Sequence, residues 1–165
     1  MIIAAFAGTG KTVLAKLYPQ KVIDFGCMPY KYNLDENEEF AEADKANPGL
    51  DFIFGWEESY VQAVKKNMSG GKILLIPSDH RVLSLLENES IPYILCYPKR
   101  NAKLVYLKRF LERGNTKYFI DIFIGSWNIF IDILENDHYG RHVVLEPEQF
   151  LSDVINVNAL LGELK

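Results

Sequence analysis

The chain has 165 residues, 48% of them hydrophobic and 24% charged, and a net charge of −4. That is the balance of one ordinary globular domain, long enough to bury a core without staples. The charge argues against a nucleic-acid groove as the main business of the surface, no apolar stretch reaches membrane-spanning length, and Cys27 and Cys96 lack metal or disulfide spacing. Met1-Ile2-Ile3 runs into an apolar segment without a basic leader, so a reduced, cytoplasmic protein with neither nucleic-acid nor membrane partner is expected. Taken in chain order, near-continuous apolar runs alternate with helical stretches. This is the pattern of a parallel sheet with crossover helices on both faces. Strands are predicted at 2–6, 22–24, 72–77, 93–97 and 142–145. Helices are predicted from Lys11 to about Tyr18, where Pro19 stops it, and at 57–67, 81–88, 102–113, 117–136 and 147–156. The segment 25–55 breaks this rhythm: it is rich in Asp, Glu, Asn and Pro, and so long an insertion is usually functional. Its acidic run, Asp35-Glu36-Asn37-Glu38-Glu39, reads as a solvated helix start.

The most specific signal lies between the first strand and the first helix. Ala5-Phe6-Ala7-Gly8-Thr9-Gly10-Lys11-Thr12 fits the pattern G-x-x-x-x-G-K-[ST], with Ala5 in place of the first glycine. Gly8 and Gly10 can adopt torsions other residues resist, and the following helix offers its positive end to phosphate. Ala7, Gly8, Thr9, Gly10, Lys11, Thr12 and Val13 are therefore the candidate nucleotide-binding residues. Lys11 is expected to reach the β and γ phosphates, and the Thr12 hydroxyl to ligate Mg2+ accompanying ATP. The bland alternative is a glycine turn before an exposed lysine.

No base-reading Asn-Lys-x-Asp is present, and the chain is short for a helicase or motor core. What remains resembles the nucleoside-monophosphate kinase (adenylate kinase-like) group, with relatives that phosphorylate small alcohols such as shikimate and gluconate. The resemblance rests on a few places. In this group the strand after the loop helix often ends in an acid, and Asp24 stands there in Lys21-Val22-Ile23-Asp24. Asp24 would hold a metal-bound water, orient the acceptor or take its proton; otherwise it caps a turn. Shikimate kinases carry a second acid where this chain has Gly26. The stretch Ala102–Gly114 looks like the arginine-bearing helix that leads into the kinase lid. Arg109 and Arg113 share one helix face there and would stabilise charge on the transferring group. Ser78 stands where many loop-bearing relatives carry an acid, with Asp79 and Arg81 matching only loosely the aspartate and monophosphate-gripping arginine of adenylate kinases. Ser78-Asp79 also reads as an N-cap.

The reading is thus an α/β P-loop NTPase: one kinase-like domain with a parallel sheet of about five strands and helices on both faces. Residues 25–70 would form the acceptor-binding insertion and 100–136 lid-like helices. The catalytic candidates are Lys11, Asp24, Arg109 and Arg113, and the metal candidates are Thr12 and Asp24. The acceptor candidates are Asp24, Tyr30, Lys31, Ser78 and Arg81, with Tyr30 and Tyr32 positioned to stack on an acceptor, most plausibly a nucleoside monophosphate. The rivals are a nucleotide-binding regulator, an NTPase with a protein partner, and a small-alcohol kinase. Phe119, Phe123, Trp127, Phe130 and Leu134 form a stripe within 117–136, read as core or else as a homodimer face. His138 and His142 lack metal-ligand spacing.

Overall fold

The structure is a computed structural model that describes residues 1–33 and 51–162. The acidic run 35–39 and most of the insertion lie outside the described residues. The five long strands are β1 (Ile2–Ala5), β2 (Val22–Asp24), β5 (Ile73–Pro77), β6 (Tyr93–Pro98) and β7 (Arg141–Leu145). They form one parallel sheet in the order β2-β5-β1-β6-β7. All four residues of β1 are fully buried, so both faces of this central strand are covered, which is why its sequence is apolar without alternation. From β1 the chain first builds to one side and then to the other, so β1 is the point where the winding reverses. Ligands of open α/β sheets bind beyond the carboxyl ends of strands at such a point. A short antiparallel pair, β3 (Tyr32–Asn33) with β4 (Asp51–Phe52), stands apart from the main sheet.

The helices are α1 (Lys11–Leu17), α2 (Met28–Lys31), α3 (Trp56–Met68), α4 (His80–Asn88), α5 (Lys103–Glu112), α6 (Lys117–Gly125), α7 (Trp127–Glu135), α8 (Leu151–Val154) and α9 (Val157–Gly162). They cover the two sheet faces over two cores. One core is built on Ile2, Ala4, Leu74, Ile76 and Leu95 with helices α3–α7; the other is built on Ile3, Ala5, Leu75 and Ile94 with α1, α8 and α9. Cys96 is buried in the second core, and burial pushes its thiol up to about 12, as befits a reduced strand residue. No helix among the described residues is long and apolar enough to cross a membrane.

Two predicted helices are corrected. The helix expected over 117–136 is broken at Ser126, which leaves helical geometry (φ −96°, ψ 18°) after Gly125, the weakest helix former in the stretch. The break lets Phe119 and Trp127 both enter the aromatic core around Phe6, where the Phe6–Trp127 and Phe110–Phe119 rings meet edge-on at 5.6 and 5.1 Å. Phe119, Trp127 and Leu134 are buried and Phe123 and Phe130 pack against that core, so the stripe faces inward and is not a free dimer face. The helix expected over 147–156 shrinks to α8 and is followed by α9. Its missing first turn has a cause: the Leu151 amide donates to Thr9 O at 2.9 Å rather than to a helical partner.

Candidate active site

β1 ends at Ala5, whose position pairs with Pro77 and Cys96. The strand thus continues through the place where a first glycine was expected, in ordinary strand pairing that needs no glycine. The loop then turns on Gly8 (φ 79°) and Gly10 (φ 92°), both in the left-handed region that only glycine adopts without strain. Gly10 is the N-cap of α1 and has no capping side chain, which leaves the helix's first amides to another partner. Thr9 is fully buried, its hydroxyl donating to Phe6 O at 2.7 Å. The Lys11 ammonium lies in the bowl of the loop and donates to Ala5 O at 2.8 Å and Phe6 O at 3.1 Å. Val13 is exposed on the first turn of α1.

Gly8 is constrained twice. Beyond its torsion, a Cβ there would sit 2.8 Å from Phe110 Cε1, closer than any real contact. Gly8→Ala is expected to lower unfolding stability by about 2 kcal/mol or more, summing torsional strain and overpacking, as a thermal melt would read.

Beside the loop, the Thr12 hydroxyl donates to Asp24 Oδ2 at 2.6 Å, joining the start of α1 to the end of β2. Both residues are exposed. A hydroxyl and a carboxylate are hard oxygen donors of the kind that hold Mg2+ while it keeps several waters, so the pair fits the expected ion. Among the described residues no group of three or more His, Cys, Asp or Glu could hold a metal.

The acceptor candidates lie beyond β2 and β5. The Lys31 ammonium and the Arg81 guanidinium stand over the Trp56 indole at 5.5 and 5.3 Å from its centre. Trp56 Nε1 and Glu57 Oε2, in the first turn of α3, are buried without a hydrogen-bond partner among the described residues. The Tyr30 ring, by contrast, is turned onto Tyr60 at 5.3 Å, while Phe25 stacks on the same Tyr60 at 5.5 Å. Tyr32 packs on Phe52 at 5.9 Å. These tyrosines therefore brace the chain's own aromatic cluster. Ser78 follows β5, and Asp79 is the N-cap of α4, with Oδ1 accepting from Arg81 N at 3.1 Å. The same carboxylate accepts from Arg81 Nε at 3.1 Å and Nη2 at 3.0 Å, fixing the guanidinium.

Burial works to raise the Asp79 carboxyl, but its hydrogen bonds to Arg81 and the Arg81 charge outweigh it and hold it below the usual value. A lowered carboxyl stabilises the fold above its unfolded-state value and loses that contribution as pH falls through the lowered folded one. Asp79→Ala is expected to cost about 1–2 kcal/mol near neutrality through the lost cap. Urea unfolding should show the gap to the unmodified chain closing below about pH 4.

Arg109 is half-buried over the other side of the loop. Its Nη1 donates to Gly8 O at 3.4 Å, and its Nη2 to Pro147 O at 3.0 Å and Gln149 O at 3.2 Å. Its Cζ lies 3.9 Å from the Phe150 ring centre and 4.7 Å from that of Tyr106. Arg113, at the C-cap of α5, is exposed.

A gluconokinase from Sinorhizobium meliloti 1021 superposes on this chain with a TM-score of 0.53 and 12% identity, over 99% of this chain and 91% of that one. The two share an α/β P-loop NTPase fold. No model of a known family matches the sequence, and no curated protein matches it.

The fold thus gathers Lys11, Thr12 and Asp24 around one end of the loop, sets Lys31 and Arg81 together around Trp56, and places Arg109 on loop carbonyls. Sequence reading missed Trp56, Glu57, Tyr106 and Phe150. Trp56 fell between the insertion and the helix expected over 57–67, and Phe150 reaches the loop across the whole chain. A local pattern carries no signal for such contacts.

Proposed function

We propose that this protein transfers the γ-phosphoryl group of ATP, in the presence of Mg2+, to a small anionic acceptor, a nucleoside monophosphate in the first instance. The observation that carries the reading is the Thr12–Asp24 hydrogen bond of 2.6 Å at the mouth of a glycine loop on the central strand. It joins the residue expected at the phosphates to an acid able to serve the acceptor. Lys11 supplies a positive charge to the β and γ phosphates as it exchanges the carbonyls of Ala5 and Phe6 for phosphate oxygens. Mg2+, when bound, neutralises phosphate charge and orients the triphosphate. With a nucleoside monophosphate, an ionised phosphate oxygen of the acceptor bonds to the γ phosphorus as the bond to the β-bridging oxygen breaks, and Asp24 would orient the acceptor or hold a metal-bound water. With a hydroxyl acceptor, Asp24 takes the hydroxyl proton as that oxygen bonds to the γ phosphorus. Lys31 and Arg81 hold the acceptor's anionic group, while the buried Trp56 Nε1 and Glu57 Oε2 offer a donor and an acceptor to its polar atoms.

A small hydroxy acid is the second reading. The structural neighbour is named a gluconokinase, and the opposite polarities of Trp56 Nε1 and Glu57 Oε2 suit a carboxylate and a hydroxyl. A panel of nucleoside monophosphates, sugar acids and small alcohols, incubated with ATP and Mg2+ and resolved by phosphorus NMR, tests both. A new phosphoanhydride identifies a nucleotide acceptor, and a new phosphate ester a hydroxyl-bearing one. ATP binding without any product across the panel overturns the kinase reading in favour of a nucleotide-binding regulator.

A further inference from the structure

We infer that Arg109 is a positioning residue that locks the nucleotide loop to the turn after β7, acting through carbonyl oxygens of both segments. Its planar fork serves two stretches of chain at once: Nη1 takes the loop carbonyl Gly8 O, and Nη2 takes Pro147 O and Gln149 O. The Cζ of the group lies over the rings of both Tyr106 and Phe150. A guanidinium presents donors along its edge and an apolar face above and below, and this seat uses both. Two further contacts tie the same segments. Leu151 N donates to Thr9 O at 2.9 Å, and the Phe150 ring lies so close over Gly10 that a Cβ there would meet Cδ1 at 3.2 Å. Phe110 and Tyr106, also from α5, close on Gly8. The loop is therefore held between α5 and the 147–151 turn, and Arg109 is the side chain that spans both.

Lysine cannot fill this seat. Its ammonium is a compact point charge that neither stacks as a plane nor presents a fixed fork to carbonyls on separate segments. A residue acting only through its charge on phosphate would tolerate that change far better, and its loss would be silent before nucleotide is added.

The effect on ATP rests on the triphosphate reading given above; the lock does not, because it is a property of the protein without nucleotide. Hydrogen exchange of the nucleotide-free protein tests it. In Arg109→Ala, segments 6–12 and 146–151, and the Leu151 amide above all, are expected to exchange at least tenfold faster, while α3 is unchanged. Arg109→Lys is expected not to restore that protection, and the dissociation constant for Mg·ATP should rise about tenfold in both variants. Phe150→Ala, which removes one face of the seat at a partly exposed position, should give a smaller loss in the same two segments and serves should Arg109→Ala fail to fold. Unchanged protection in Arg109→Ala, or full restoration by lysine, overturns the proposal. Lys11→Ala separates the two readings: normal Mg·ATP binding by that variant would end the triphosphate assignment and leave the lock to be judged on exchange alone.

Discussion

Lys11→Ala is expected to weaken Mg·ATP binding by at least about 100-fold while leaving the fold intact. Without ligand the lysine donates to two loop carbonyls, Ala5 O and Phe6 O, and Phe6 O keeps the Thr9 hydroxyl as a second donor when the ammonium is removed. The folded chain stays intact, because the change removes contacts of a loop side chain and no core packing. The nucleotide complex loses much more. Hydrogen bonds to charged groups are worth roughly 1.5–3 kcal/mol each, and about 1.4 kcal/mol is a tenfold change in affinity. Two such contacts to the β and γ phosphates account for the expected loss. Titration calorimetry with Mg·ATP, beside a thermal melt, checks both halves. Unchanged affinity would remove the loop from the nucleotide site altogether.

Asp24→Asn gives opposite answers for a structural and a chemical aspartate. As a mere partner of Thr12, the asparagine keeps a side-chain oxygen to accept the hydroxyl that now sits 2.6 Å away, so stability and turnover would barely move. As the group that takes the acceptor's proton or supports the metal, the carboxylate cannot be replaced by a neutral amide. General-base roles are worth about 10²–10⁴-fold. The variant is expected to bind ATP nearly as well yet lose at least about a hundredfold in turnover, on whichever acceptor the panel yields. Its melting temperature should be unchanged or raised, because an exposed acid kept beside a phosphate site is retained for chemistry and not for packing. Near-normal turnover by the asparagine variant would exclude Asp24 from the reaction.

The parts of this protein that were legible in its sequence are those written locally. β1, β5 and β6 are buried on both faces, so they read as unbroken apolar runs, and a glycine-rich turn before a helix marks the loop wherever it occurs. The paired β3 and β4 are two residues each and separated in the chain, and so short a run has no periodicity to find. The last helix was misplaced because Leu151 spends its amide on Thr9, at the far end of the sequence. Arg109 shows the same limit: a basic helix position was evident, but its partners Gly8, Pro147 and Gln149 come from opposite ends of the chain. Arg81 was named as an acceptor residue through a loose match to the monophosphate-gripping arginine of adenylate kinases, whereas its place over Trp56 depends on the packing of α3 against α4.

The pairing order of the sheet has a consequence for how the protein is made. β1 is synthesised first but sits between β5 and β6, which follow it by some seventy and ninety residues in the parallel register. Its loop is then completed by Leu151, later still. During synthesis β1 therefore waits some seventy residues for its first partner strand, and the glycine loop waits longer still, until Leu151 is made. Until β5 and β6 are made, Ile2-Ile3-Ala4-Ala5 is a bare apolar strand open to wrong pairing.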